Sequence, residues 1–194
     1  WSVLERDFPE VEASMRFVPQ EVELVPEEGE PFVSNLVFVE HNFLTSFSFK
    51  LLFGDPESAL KDPNTIVLTE STAMKLFGRT DVLGESYELG SLPFTVSGIM
   101  EDVPANSSID FDLLSSAETI NNVYGGGTDQ FTSWGNNWVR LFVMLKEGHD
   151  IVEFNSKIKH LLQKHYYEET LNELHTRPLL DIHLRCDIVN DYAI

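Results

Sequence analysis

The histidines are the first side chains in the sequence that could bind a metal ion. The chain has six, of which His160 and His165 lie five residues apart, while His175 and His183 follow later. Two ligands on one helix face need a spacing of three or four residues, so the first pair does not fit a metal site. We expect solvated or hydrogen-bonded histidines, and the sequence predicts no bound metal.

Paired carboxylates could supply a general acid and a general base. Three adjacent pairs occur, at Glu27-Glu28, Glu101-Asp102 and Glu168-Glu169. Because the chain contains 32 Asp and Glu residues, such pairs arise from composition alone, and most are expected on solvated faces. The spacings Asp55-x-Glu57 and Asp110-x-Asp112 lack the glycine of an EF-hand loop, so they do not support calcium binding.

Nucleophiles and phosphate-binding loops give no stronger signal. The chain has no Gly-x-Ser-x-Gly elbow, and Cys186, close to His183, is its only cysteine. A lone cysteine is more often inert than catalytic. Gly125 to Gly127 lack the Gly-Lys-Ser or Gly-Lys-Thr of a P-loop and indicate an ordinary loop. We therefore predict no catalytic residue and no cofactor in this domain, and expect that the chain is not an enzyme.

The charge of the chain restricts its partners. The formal net charge is −19 and the sequence pI is about 4.5. A negative potential of this size repels phosphate backbones and anionic lipid headgroups, and no cluster of Lys and Arg reverses it locally. Nucleic acid is excluded as an expected partner, and a charged partner is expected to be basic.

The sequence contains no apolar run of about 18 to 20 residues, the length that spans a bilayer. The longest candidate, Trp138 to Leu145, has the length of a strand and contains Arg140. The chain begins at Trp1 without a starting Met or a signal peptide, so we expect a piece of a longer protein.

The first third of the chain predicts a short helix and a hairpin. Helical spacing over Val3 to Phe8 stops at Pro9. Val11 to Val25 then favours a strand or an irregular strand pair broken at Pro19, and Phe32 to Val39 returns after an acidic turn.

The clearest local pattern is a strand followed directly by a helix. Thr65 to Thr69 is β-branched, and the Thr69 hydroxyl can cap a helix that stops at Gly78. Its apolar face is predicted at Ala73, Leu76 and Phe77.

Further strands follow this unit. Glu85 to Leu89 and Phe94 to Asp102 are expected to form a hairpin around Gly90 to Pro93. Ile109 to Leu113 alternates as a half-buried strand does, and Ser115 or Ser116 can cap a helix reaching about Tyr124.

The last third predicts strand, helix and strand. The strand is Trp138 to Leu145, Asp150 caps a helix that ends near Tyr167, and Leu171 to Ile182 returns as a strand. Hairpins mixed with strand–helix–strand segments predict an α+β fold with mostly antiparallel sheet. Both end thirds offer a helix plus strands, so they could share one lobe with the middle inserted.

One stretch of the chain resembles a known family. Phe47 to Pro56, then Ile66 to Gly78, resemble the MacB-like periplasmic core domain of ABC transporter permeases. Asp81 to Glu85, Pro93 to Met100 and Asp102 to Ser107 continue the resemblance, particularly to Bacteroidota-type members.

The resemblance implies a two-lobed domain in the periplasm, between the first and second transmembrane helices of an FtsX/MacB-type permease of the inner membrane. A porter-like, βαβ-containing lobe would comprise residues 1–50 and 135–194. A smaller, mostly β inserted lobe of the sabre type would comprise residues 51–134. Both together would form a single periplasmic core domain.

The same resemblance implies function and partners. The domain would couple ATP hydrolysis, carried out by a separate cytoplasmic domain, to export or partner movement, a coupling called mechanotransmission. Expected partners are the flanking transmembrane helices, an ABC ATPase subunit, and a second permease copy or paired permease. A periplasmic adaptor, lipoprotein or peptide would be a further partner. The segment from Ser108 to Asn137 is shorter and more polar than expected in members that dock an adaptor.

Two alternatives stay open at this point. The first is an FtsX-like regulatory ectodomain that binds and activates a cell-wall hydrolase instead of exporting a substrate. The second is a hydrolytic enzyme of unknown type.

Overall fold

The structure is a computed structural model that describes residues 1–124, 139–165 and 173–181. The chain divides into two compact units. The first comprises Trp1–Arg16 and Gly126–Ile194, and the second comprises Phe17–Gly125. The lobe boundaries drawn from the resemblance, near residues 50 and 135, stay a prediction.

The described residues form eight strands and six α-helices. The strands, in chain order, are β1 (Val11–Leu24), β2 (Phe32–Val39), β3 (Leu51–Gly54), β4 (Thr65–Thr69), β5 (Ser86–Leu89), β6 (Leu92–Met100), β7 (Leu113–Ser116) and β8 (Arg140–Leu145). The helices are α1 (Ser2–Asp7), α2 (Phe43–Ser46), α3 (Glu70–Phe77), α4 (Ile120–Tyr124), α5 (Ile151–Ile158) and α6 (Leu161–His165). A 3₁₀ helix, Ala117–Thr119, precedes α4.

The first unit packs its helices around a small apolar core. Five side chains from α1, β1, α5 and α6 are buried together: Leu4, Val11, Phe154, Ile158 and Leu161. Alternate residues of β8 (Leu141, Val143, Leu145) contact this cluster, as expected for one face of a strand. The apolar side chains on one face of α5 and α6 and those on one face of β8 therefore pack into the same core.

The second unit is built on a mixed sheet. Its strands follow the order β3-β6-β4-β7-β2-β1, and β5 also pairs with β6. The pairs β2–β7 and β4–β6 are parallel, and the pairs β1–β2, β3–β6, β4–β7 and β5–β6 are antiparallel. The predicted α+β class with mostly antiparallel pairing is confirmed.

An aromatic cluster fills part of the second unit. The fully buried ring of Phe43 lies between 4.7 and 6.2 Å, centroid to centroid, from four other phenylalanines. These are Phe17, Phe47, Phe49 and Phe111. Such separations suit offset or edge-to-face ring pairs, so α2 is held by its aromatic side chains despite its length of one turn.

The strand-to-helix prediction around Thr69 is confirmed in detail. β4 ends at Thr69, whose hydroxyl accepts a hydrogen bond from the N–H of Thr72 at 3.4 Å. Gly78 ends α3 with φ 68°, a conformation that glycine adopts without a Cβ penalty. Ala73 and Leu76 are buried and Phe77 is half-buried, so the predicted apolar face is also correct.

Three predicted boundaries are wrong. β1 continues through Pro19, which lies opposite Val37, because the fixed φ of proline falls within the broad β region. Pro93 lies in β6 opposite Glu88 rather than in the turn. The strand predicted from Ile109 begins only at Leu113. Of the residues before it, Asp112 bonds through its main chain to Asn35 and Thr69.

The strand predicted over Leu171 to Ile182 is wrong in its described part. Residues 173–178 have no regular secondary structure. The reason is that the Asn155 side chain of α5 forms hydrogen bonds with both the N–H and the C=O of Thr176. In a strand, these two groups would bond to a neighbouring strand. The helix predicted to run from Asp150 to about Tyr167 is also interrupted, at Lys159 and His160 between α5 and α6.

Candidate functional site

Three of the carboxylates considered for acid–base chemistry or calcium binding bond to donors within the second unit. The Glu101 carboxylate lies 2.9 Å from the Lys50 ammonium. An oxygen of Asp102 accepts the N–H of Ser71 at 3.0 Å, at the start of α3. An oxygen of Asp112 accepts the N–H of Asn35 at 2.8 Å. Each carboxylate satisfies a neighbouring donor, which is a structural role.

The loop after α3 is closed by one arginine. Arg79 donates to the main-chain oxygen of Asp81 at 2.7 Å and also pairs with the Glu85 carboxylate. The hydrogen bond that Arg79 donates to the Glu85 carboxylate raises the pKa of Arg79, and the bond to Asp81 makes a smaller contribution. Asp81 thus stabilises a loop.

The histidines are not gathered into a metal site within the described part of the chain. His160 is exposed, His165 is half-buried, and a nitrogen of His175 lies 3.5 Å from the Glu173 carboxylate. Among residues 1–124, 139–165 and 173–181, no group of three or more His, Cys, Asp or Glu could hold a metal ion.

Several residues weighed from the sequence fall outside the described residues. They are Gly125 to Gly127, Trp138, Glu168-Glu169, His183 and Cys186.

Several charged groups of the first unit converge where the N-terminal segment contacts α5. Lys157 of α5 donates to the Glu10 carboxylate at 2.9 Å and contacts Glu153, one turn away, at 2.8 Å. The Glu10 side chain is almost fully buried, at 5 % exposure, whereas Lys157 stays partly in solvent. A carboxylate removed from water in this way needs a cationic partner, and Lys157 supplies it.

Electrostatics at this pair follow from its hydrogen bonds. The bond from Lys157 lowers the pKa of Glu10 below its ordinary value, and the Glu10 main-chain N–H lowers it further. In return, the bonds that Lys157 donates to Glu153 and, to a smaller extent, to Glu10 raise the pKa of Lys157. Both groups are therefore charged at neutral pH, and the ion pair persists over a wide pH range.

A second tie joins the same chain segments through the main chain. At the end of β8, Lys146 donates its N–H to the Glu10 oxygen at 2.8 Å and its ammonium to the Pro9 oxygen at 2.5 Å. The ring of Phe8 meets the ring of Phe154 edge to face, with 5.8 Å between centroids. Apolar, backbone and ionic contacts thus coincide within three residues of the N-terminal segment.

The N-terminal helix is tied to the strand that follows it. The Glu5 carboxylate accepts the N–H of Ser14 at 2.6 Å and its hydroxyl at 2.8 Å. The buried guanidinium of Arg16 lies 4.6 Å from the centroid of the Trp1 ring, which is cation–π geometry. α1 is therefore fixed to β1 at both of its ends.

The segment from Glu173 to Asp181 is fixed to α5 by one asparagine. Asn155 donates its side-chain N–H to the Thr176 oxygen at 2.9 Å and accepts the Thr176 N–H at 2.6 Å and hydroxyl at 2.8 Å. The N–H of Leu174 adds a bond to the Lys159 oxygen at 3.2 Å. The Asn155 side chain therefore makes hydrogen bonds of the kind that a neighbouring strand would make.

These ties were not visible in the sequence. Glu10 and Lys157 are 147 residues apart, and neither belongs to a motif. The only local signal was the apolar periodicity of α5, which predicted a buried face but no partner for it.

The sequence as a whole matches one protein family. The MacB-like periplasmic core domain family matches residues 1–161. The chain belongs to this family. No curated protein sequence matches the chain.

Solved structures agree with the family in fold. A domain assigned to a permease protein of Porphyromonas gingivalis shares 25 % identity at a TM-score of 0.72, over 87 % of this chain and 70 % of that one. The periplasmic region of MacB from Actinobacillus actinomycetemcomitans shares 18 % identity at a TM-score of 0.59, over 80 % and 67 % of the two chains.

A third similar structure is the extracellular domain of the noncanonic ABC-type transporter YknZ from Gram-positive bacteria. It shares 14 % identity at a TM-score of 0.60, over 80 % of this chain and 76 % of that one. At 18 % and 14 % identity, the likeness to MacB and YknZ shows the fold alone.

Family membership confirms the resemblance seen in the sequence. This MacB-like domain is the extracytoplasmic part of an ABC-type permease. None of the helices in the described ranges is both long and apolar enough to cross a membrane. Homologous domains belong to ABC transporter permeases.

Proposed function

We propose that this MacB-like domain transmits ATP-driven movement of its permease to a substrate or partner outside the cytoplasmic membrane. The observation that carries the proposal is that the first unit is formed by two segments that lie far apart in the chain. Residues Trp1–Arg16 and the C-terminal segment fold into one unit, joined by Lys157 to Glu10 and by Lys146 to Pro9.

The joint suits a part that receives movement through both chain ends. In the family arrangement each end continues into a transmembrane helix, so displacement of either helix would act on this unit first. Charged hydrogen bonds and a packed apolar cluster resist separation better than either alone. The unit would therefore move as one piece rather than deform locally.

The contacts of the described acidic and histidine side chains support a mechanical role over an enzymatic one. Glu101, Asp102 and Asp112 each bond to a structural donor within the second unit. In this proposal the domain itself takes no cofactor, and its energy comes from ATP used by a separate cytoplasmic ATPase.

The test uses the full-length permease with its ATPase in lipid nanodiscs. Hydrogen exchange across α1, β8 and α5 is measured without nucleotide and with ATP and vanadate. We expect exchange in these elements to differ between the two conditions, and the difference to disappear in a complex whose ATPase is substituted so that it cannot bind ATP. Identical exchange in all nucleotide states, with ATP hydrolysis intact, would overturn the proposal.

A second comparison separates transmission from mere attachment. Glu10→Gln with Lys157→Met removes the ionic tie but leaves the cluster of Phe154 and Ile158 in place. We expect ATP hydrolysis to continue while the nucleotide-dependent exchange of β8 becomes smaller. The exposed pair Lys50 and Glu101 gives a matched control, because its removal breaks an ion pair in the second unit.

A further inference from the structure

The outer face of the β1–β2 hairpin exposes apolar side chains among carboxylates. Five residues form this face and are called here the hairpin surface: Glu21, Glu23, Val25, Val33 and Asn35. The strand register places Glu21 opposite Asn35 and Glu23 opposite Val33. Because paired residues of antiparallel strands point to the same side, Glu21, Glu23, Val33 and Asn35 share one face, and the exposed Val25 directly follows the end of β1.

Alternation explains why this face is open. Among the intervening residues, Leu24, Ser34 and Leu36 are at most 4 % exposed and Val22 is half-buried. Val25 and Val33 are 58 % and 68 % exposed. Two exposed β-branched side chains on one face provide apolar area that the unit does not itself cover.

The hairpin end is held in place by neighbouring elements. The N–H of Val25 donates to the Tyr87 hydroxyl at 2.8 Å, and the N–H of Glu27 donates to the Leu76 oxygen at 3.1 Å. The Phe32 ring lies 5.8 Å from the Lys75 ammonium. A surface fixed in this way loses little conformational freedom when a partner binds.

The charged side chains of the hairpin itself are all carboxylates. The sequence contains no Lys or Arg between Arg16 and Lys50, whereas five Glu residues lie between positions 21 and 30. Glu27, Glu28 and Glu30 at the turn are all exposed, as are Glu21 and Glu23. The field at the hairpin surface is therefore strongly negative.

From these observations we propose that the hairpin surface binds a basic, extended polypeptide segment in which Lys or Arg alternates with aliphatic residues. The carboxylates would pair with the cations, and Val25 and Val33 would contact the aliphatic side chains. A second copy of this chain is disfavoured because it carries the same net charge of −19. Anionic lipid and nucleic acid are disfavoured for the same electrostatic reason.

Binding is tested with the 194-residue chain and a fluorescein-labelled peptide of alternating Lys and Leu, about eight residues long. Anisotropy at physiological salt gives the Kd. We expect Glu21→Gln with Glu23→Gln to weaken binding about tenfold, since each exposed ion pair contributes modestly. Val33→Asn should weaken it about threefold, and a peptide of alternating Lys and Ser should bind more weakly than the Lys and Leu peptide.

The control addresses the overall acidity of the chain. Glu57→Gln with Asp62→Asn removes two exposed carboxylates away from the hairpin and should change the Kd less than about twofold, because salt screens distant charges. Equal weakening by both pairs, or no effect of Val33→Asn, would overturn the proposal. Thermal unfolding of each variant checks that the fold is retained. The inference is independent of nucleotide coupling, so its failure would leave the proposed function unaffected.

Discussion

The ammonium of Lys157 lies 2.9 Å from the carboxylate of Glu10, joining residues 147 positions apart in the chain. The carboxylate is buried, and its pKa is lowered chiefly by this hydrogen bond. Protonation of Glu10 in acid would therefore weaken the contact between the N-terminal segment and α5.

Stability should fall in acid through this pair. Because the pKa of Glu10 is lower in the folded state, its contribution is present above the ordinary Glu pKa of about 4.3 and is lost as pH falls through the folded pKa. Lys157→Met should lower the midpoint of thermal unfolding at pH 7, and the difference from the native chain should shrink at pH 3.

Glu153→Gln is the matched control for this prediction, since it removes the exposed partner of Lys157 and keeps the buried one. It should change the unfolding midpoint less than Lys157→Met does. An equal effect at pH 7 and pH 3 for Lys157→Met would contradict the assignment to Glu10.

The aromatic cluster should dominate the stability of the second unit. Phe43→Ala removes a fully buried ring that contacts four others and should cost about 3–5 kcal/mol of unfolding free energy. Phe53→Ala, at a ring that is 45 % exposed on edge strand β3, should cost about 1 kcal/mol or less. Urea denaturation measures both, and similar losses would argue against the cluster as the core.

Gly54 is required by the close approach of two strands. Its φ is 99°, and a Cβ would lie 2.6 Å from the Ser97 oxygen and 3.0 Å from the Gly98 Cα. Gly54→Ala combines backbone strain with overpacking and should cost about 3 kcal/mol or more.

Gly78→Ala separates these two causes, because φ is 68° there but a Cβ would meet nothing within 4 Å. It should cost about 1–2 kcal/mol. If denaturation showed equal costs at the two glycines, steric contact with Ser97 would not be the cause.

Asn155 should control the exchange of the segment it holds. Asn155→Asp retains an acceptor but loses the donor to the Thr176 oxygen, so two oxygens would face each other. Amide exchange at Leu174 to Thr176 should accelerate about tenfold, the effect of one lost hydrogen bond.

Ser156→Ala, at the next residue of α5, removes an exposed bond to the Glu153 oxygen and should leave exchange at Thr176 unchanged. Acceleration in both variants would point instead to general loosening of α5.

The sequence predicted elements best where the governing interactions are local. The Thr69 cap and the Gly78 stop act within one helix, so neighbouring residues suffice to define α3. The hairpin of β5 and β6 was likewise predicted from its turn, although the strand starts earlier than the proline suggested.

Long-range choices could not be predicted in this way. β3 has no clear local strand pattern, because its four residues become a strand only by pairing with β6. The parallel pairing of β2 with β7 joins Leu36 to Leu113, and no local pattern encodes that choice. The strand pattern of Leu171 to Ile182 is likewise not followed around Thr176, because Thr176 bonds to Asn155, which lies outside that segment.

The nested division of the chain has a consequence for biosynthesis. Phe17–Gly125 is contiguous, so the second unit can fold as soon as the ribosome has released it, whereas the first unit must wait for β8 and α5. Folding the middle beforehand shortens the effective loop that Glu10 and Lys157 must close, which lowers its entropic cost.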